Sequence, residues 1–151
     1  MQGATTTYYE QESMFHGFIP HIMGTKFDVL LFHKDQSLLQ HIWEDICSTL
    51  EYLDHTLNKF DPCSEVSTLN SYKPETPIPV SDELRTVLSL CEKYYQLTCH
   101  LFDVTCSDFS LVQITDEGVS FASPTIELDF GGFGKGYALK KIGNIITHHI
   151  L

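Results

Sequence analysis

The sequence predicts an α+β domain, a mainly antiparallel sheet packed against long helices that cover one of its sides. Three observations carry that prediction. Residues 15–33 read as two strands with a break at Met23-Gly24, and apolar and polar residues alternate after Thr25. Residues 37–59 and 81–98 repeat their apolar side chains at three- and four-residue steps. Near the C-terminus a short apolar run, 126–130, leads through four glycines into a third stretch of helical spacing.

In chain order, residues 1–14 read as an N-terminal tail and residues 15–151 as one domain, long enough to bury a core. Strands are expected at 18–22 and 25–32, where Phe27, Val29 and Leu31 alternate with Lys26 and Asp28. Met23 between them reads as gap-filling core. The set Leu38, Leu39, Ile42, Ile46, Leu50, Leu53 and Leu57 makes one long amphipathic helix, with Ser37 as its N-cap and Asp61-Pro62 as its stop. Phe60 reads as a hydrophobic plug at that helix end. Ser64 should cap a short helix through Asn70, and residues 73–79, with three prolines, form a loop. Ser81-Asp82-Glu83 starts the next helix, whose apolar face is Leu84, Val87, Leu88, Cys91 and Tyr94 or Tyr95. Asp103 after it reads as a turn carboxylate. A hairpin follows, strands 111–114 and 119–121 around Asp116-Glu117-Gly118, and then a strand at 126–130.

The glycine string is the most informative stretch. Gly131, Gly132, Gly134 and Gly136 surround Lys135 and open a helix that runs to Leu151. Two readings stand side by side: a left-handed glycine turn that starts a packed helix, or an anion site at a helix N-terminus. The string is not a Walker loop, since Gly136 rather than Ser or Thr follows the lysine, and its spacing is not GxGxxG.

Net charge is −11, from 20 acidic and 9 basic residues, which argues against nucleic-acid and anionic-membrane partners. A phosphate ligand must then be held by local N–H groups, Lys135 or a divalent cation. Five cysteines without a CxxC pair read as reduced thiols in a cytoplasmic protein, and a zinc set of Cys91, Cys99, His100 and Cys106 is set aside for the same lack of spacing. His148-His149 reads as an ordinary helix end. The segment MQGATTTYYEQES shows no secretion signal and no lipobox cysteine, so either the protein is cytosolic or a signal has been removed.

Four ordered blocks carry a resemblance. LDFGGFGKGYAL resembles the LDLGGIAKGYAVD string of the ApbE-like FAD:protein FMN transferases. Met23-Gly24-Thr25 resembles their MGT. LDHTLNKFDPCSEVSTLN resembles a block that ends S-x-Y-x-x-x-S-E-I/L-S-x-F/L-N, and TCHLFDVT resembles S/T-x-G-A-F-D-x-T. The resemblance implies a partial ApbE-like, tunnelling-fold-like domain that covers roughly the first half of a family member. It implies Mg²⁺-dependent transfer of FMN from FAD to a threonine of a target flavoprotein. By resemblance, Met23, Phe60, Leu101, Phe102, Asp103, Gly131 and Tyr137 bind the flavin nucleotide, and the carbonyl of Gly134 helps hold the metal. Departures are His100 for glycine, Leu101 for alanine, Asn58 for serine and a shorter hairpin region.

The family's TSG, H-x-x-D-P and Asp/Thr metal segments are not in the sequence, so a truncated chain, inactive alone, is expected. Three classes remain open: a transferase completed by a C-terminal half or another chain, a non-catalytic flavin-binding remnant, and a structural fragment that needs a partner. An exposed apolar surface is expected, and with it dimerisation, as a homodimer, or poor solubility.

Overall fold

The computed structural model describes residues 3–150, so the reach of the last helix to Leu151 and the first two residues of the expected tail lie outside the described residues. Two compact units divide the chain: Met1–Asp54 with Lys135–Leu151, and His55–Gly134.

The first unit holds an antiparallel sheet of β1 (Thr5–Tyr9), β2 (Met14–Ile22) and β3 (Thr25–Phe32), in the order β1-β2-β3. The stretch expected as a tail therefore contributes a strand. Its run of threonines and tyrosines is β-branched and aromatic, and pairs from Thr5↔Phe18 to Tyr9↔Met14. β2 and β3 meet at a two-residue turn in which Met23 (φ 50°) and Gly24 (φ 73°) are both left-handed, as the twist of a tight hairpin requires.

Phe15, Gly17, Ile19 and Leu31 face α1 (Gln36–Leu57), while Leu30 and Phe32 on the other face are exposed. Trp43 of α1 lies across Gly17 so closely that a Cβ there would stand 2.4 Å from the indole, and Phe15 meets the same ring at 6.2 Å. The cap of α1 is Asp35, whose Oδ1 accepts from Leu38 N–H at 3.1 Å; Ser37, the expected cap, lies inside the helix. A carboxylate also complements the helix dipole there, which a hydroxyl does not. α4 (Gly134–Ile150) closes the unit, and His149 in its last turn pairs with Asp45 at 2.9 Å.

In the second unit, α2 (Glu65–Tyr72) and α3 (Asp82–Leu97) carry their expected caps: Ser64 Oγ accepts from Ser67 N–H and Ser81 Oγ from Leu84 N–H. Glu65 ties the two caps together by accepting from Ser81 Oγ at 2.8 Å. A second antiparallel sheet pairs β4 (Val112–Thr115) with β5 (Gly118–Phe121), so the expected single sheet is two, and α3 belongs with the second. Arg85 of α3 donates to the carbonyls of Thr115 and Asp116 at that hairpin's turn.

Residues 126–130, expected as a strand, are extended in burial pattern but join no sheet. Ile126, Leu128 and Phe130 are buried and Glu127 and Asp129 are not, so the alternation is real. Side chains and a loop replace the ladder. Asn70 brackets the backbone of Leu128, Lys73 donates to Ile126 O, and the N–H groups of Glu127 and Asp129 donate to Thr105 O and Val104 O.

Between the two expected alternatives on α3, Tyr95 is the buried one, and its hydroxyl donates to Asp108 Oδ1 at 2.8 Å. That bond first, and then burial, push the phenol up to about 12, while hydrogen bonds from Ser110 and then Tyr95 hold Asp108 below the usual carboxylate range. The raised phenol contributes stability that is present below its ordinary value of 10.0 and is lost as pH rises toward 12. Alkaline denaturation followed by circular dichroism should show this extra slope. Tyr95→Phe should remove it, and an unchanged profile would refute it.

Candidate functional site

The glycine turn follows directly from the 126–130 segment. Gly131 N–H donates to Asp129 Oδ1 at 2.8 Å, and the N–H groups of Phe133 and Gly134 donate to Phe130 O at 2.9 and 2.7 Å, which starts α4. The left-handed glycines among the described residues are Gly3, Gly24 and Gly118. The turn is therefore not the left-handed glycine turn that was one of its two readings. A Cβ added at Gly132 or Gly136 would meet nothing within 4 Å, so crowding by this chain does not require glycine there either. The open space beside a bare backbone at these two positions leaves room for a close approach from outside the chain.

Phe102 and Phe133 bring the α3 end and this turn together. Phe133 lies 6.1 Å from Phe102 and 6.0 Å from Tyr94, and Tyr94 meets Phe102 edge-on at 6.2 Å. Leu101, one residue before this cluster, is 89% exposed. It follows two residues held left-handed, Cys99 (φ 51°) and His100 (φ 68°), where the resemblance expects a glycine at 100. The His100 ring stacks on Tyr95 at 4.2 Å and 4°, which offsets part of that strain. Asp103 does act as a turn carboxylate: Oδ1 accepts from Thr105 N–H and Oγ1, and Oδ2 from Phe109 N–H. It shapes the loop that carries Phe102.

Phe60 is 84% exposed, so it plugs nothing. Its N–H donates to Asn58 Oδ1 at 3.0 Å, the residue that replaces serine, and Lys59 Nζ stands 5.3 Å from its ring centre. The same ammonium pairs with Asp129 at 2.9 Å and Glu127 at 3.3 Å. The hydrogen bond with Asp129, more than that with Glu127, pushes the Lys59 ammonium above its usual value.

Met23 and Tyr137 lie in the first unit. Met23 is only half-buried and is not core; it occupies a left-handed turn position that favours Asn, Asp or Gly. Met23→Asn is therefore expected to stabilise the hairpin by about 1 kcal/mol. A lower urea midpoint for the variant would contradict it. Tyr137 is buried, with Lys141 Nζ 5.6 Å from its ring centre.

Sequence reasoning missed Lys59, Tyr94, Glu127, Asp129 and Phe133. The signal for the two carboxylates was present, because a period of two places them together on the outward side of the 126–130 segment. All five cysteines are free, and the described residues contain no group of three His, Cys, Asp or Glu that could hold a metal ion. No helix among the described residues is long and apolar enough to cross a membrane.

Comparison with known proteins gives a consistent result. A family model described as ApbE family matches residues 23–117. The FAD:protein FMN transferase of Chlamydia trachomatis serovar D is 24% identical over 134 residues, which cover 69% of this chain and 42% of that protein. Among solved structures, the ApbE protein of Thermotoga maritima superposes with a TM-score of 0.79 at 18% identity, over 91% of this chain and 53% of its own. The flavin transferase ApbE of Vibrio cholerae gives 0.80 at 17% identity, over 97% and 54%. The flavinyl transferase ApbE of Pseudomonas stutzeri, in its apo form, gives 0.78 at 14%, over 97% and 53%. The chain thus spans about half the length of the relatives it matches, and the α+β fold with antiparallel sheets is theirs.

Proposed function

The chain belongs to the ApbE family, and on that premise we propose that it supplies the flavin-nucleotide-binding part of an FAD:protein FMN transferase. In the proposed reaction a threonine hydroxyl of a target flavoprotein forms a bond to the FMN phosphorus of FAD. The pyrophosphate bond to AMP breaks, the hydroxyl loses its proton, and FMN stays on the target as a phosphoester. The observation that carries the reading is the glycine turn. Its bare backbone at Gly132 is needed neither for a left-handed conformation nor for packing within the chain, and the turn's Phe133 belongs to the Phe102–Phe133–Tyr94 cluster. A flavin nucleotide needs aromatic contact at one end and backbone donors at the other.

Phe60, Leu101 and Phe102 are assigned to the isoalloxazine end, Gly131 by resemblance to the phosphate end, where its own N–H is held by Asp129 and is not the donor, and Asp103 to the loop that holds Phe102. Met23 and Tyr137, in the other unit, are assigned to nucleotide binding by resemblance alone. For Mg²⁺ the described residues offer the Gly134 carbonyl and no group of three His, Cys, Asp or Glu, and the neighbouring Glu127 and Asp129 are taken up by Lys59, which does not fit that ion. No step is therefore derived through it, and its further ligands are proposed to come from a complementing C-terminal half or a second copy. Five free thiols suit a reducing compartment, and we place the protein in the cytoplasm.

Titration with FAD, with and without Mg²⁺, tests the reading through quenching of flavin fluorescence. Saturable binding is expected, and Phe60→Ala should weaken it by about 1–2 kcal/mol, the scale of a lost aromatic stack. Failure of the chain to bind FAD, or a Phe60→Ala variant that binds as tightly, would overturn it.

A further inference from the structure

Building on the flavin-nucleotide reading, we propose that Lys59 is a positioning residue: through Asp129 it fixes the glycine turn relative to the aromatic side chain of Phe60, so that one nucleotide can engage both. Four groups stand in series within the unit His55–Gly134. The Phe60 ring lies 5.3 Å from Lys59 Nζ, Nζ lies 2.9 Å from Asp129 Oδ2, and Asp129 Oδ1 accepts from Gly131 N–H at 2.8 Å.

The electrostatics explain why a cation belongs there. Glu127 and Asp129 both emerge on the outward side of a segment whose Ile126, Leu128 and Phe130 point inward. Two carboxylates so placed repel each other and would repel a phosphate at Gly131, in a chain that already carries −11. Lys59, whose side chain is only 20% exposed, bridges both at 2.9 and 3.3 Å and relieves that field. Partly exposed ion pairs contribute little to folding, so the arrangement is not explained by stability and the variants below should fold. A displaced turn, in contrast, is costly to a ligand that must touch both ends, because small misplacements at a site are amplified in affinity.

Lys59→Met, which keeps the stem and removes the charge, is the test, with Lys59→Arg as the rescue. FAD touches both ends of the proposed site, whereas riboflavin lacks the phosphates. FAD affinity should fall about tenfold in Lys59→Met and riboflavin affinity by no more than about twofold, with most of the loss restored in Lys59→Arg. Equal losses for the two ligands, or none, would overturn the proposal. Hydrogen exchange of the ligand-free protein provides a readout that does not depend on flavin. Amides 129–134 should exchange about tenfold faster in Lys59→Met and return toward the parent rate in Lys59→Arg, with β4 and β5 unaffected. Unchanged exchange at 129–134 would also overturn it. If the parent protein binds no FAD, the flavin reading fails, and the exchange result alone decides whether Lys59 positions the turn.

Discussion

Gly118→Ala is expected to destabilise the protein by about 3 kcal/mol, at the upper end of what overpacking alone costs. Gly118 sits at φ 142°, outside the comfortable range of a residue with a side chain, and opens β5 after the β4 turn. An added Cβ would stand 1.9 Å from Ile78 O, 2.3 Å from Ile78 C and 2.9 Å from Pro79 N. These are backbone atoms, which cannot swing away as a side-chain tip can. To make room, the loop must retreat and break the reciprocal bonds between Ile78 and Val119, each 3.0 Å, along with the bond from Phe121 N–H to Pro74 O. Val119 and Phe121 are core residues, so their backbone groups would be left without water as a substitute. Gly132→Ala is the contrasting case, with open space around it, and should stay within about 0.5 kcal/mol of the parent. Urea unfolding of both variants checks the pair; a Gly118→Ala loss below about 1 kcal/mol would refute the packing account.

What could be read from the chain beforehand follows from the range of the forces involved. Helices were legible because their signals are local. Ser64 and Ser81 cap α2 and α3 as expected, and β3 runs over the expected residues. The cap of α1 was misplaced by two residues because Asp35 and Ser37 are both good caps, and only the path of the chain decides between them. β1 was missed because no long apolar alternation marks it; it is an edge strand of threonines and tyrosines held by pairing to β2. The 126–130 segment shows the opposite limit. Its alternation was correct, yet alternation reports which side is buried and does not report what satisfies the backbone. At the site, the motif residues could be named from resemblance, and the structure brings Phe102 to the turn through Phe133. The link from Phe60 to Gly131 runs through Lys59 and Asp129, a contact between positions 70 residues apart in sequence, which no local pattern encodes.

Asn70→Leu is expected to cost about 3 kcal/mol and to loosen the approach to the glycine turn. Asn70 serves as a substitute strand for one residue. Its Nδ2 donates to Leu128 O at 2.9 Å, and its Oδ1 accepts from Leu128 N–H at 2.8 Å, while the Leu128 side chain is 0% exposed. Leucine keeps the branched four-atom connectivity, at a larger volume, and has neither polar atom, so a buried N–H and a buried C=O both lose their partner. Each such loss costs about 1–3 kcal/mol. The damage should spread along the segment to Phe130, whose carbonyl accepts from Gly134 N–H and starts α4. Hydrogen exchange should therefore rise across 126–134 as well as the urea midpoint falling. Asn70→Asp separates the two bonds. It keeps the acceptor for Leu128 N–H but at neutral pH aims a carboxylate at Leu128 O, two acceptors facing each other. Relative to the parent at the same pH, that variant should regain stability on acidification, as the protonated carboxyl recovers a donor. A variant whose deficit is the same at pH 4 and pH 8, or an Asn70→Leu protein as stable as the parent, would show that Leu128 finds its partners elsewhere.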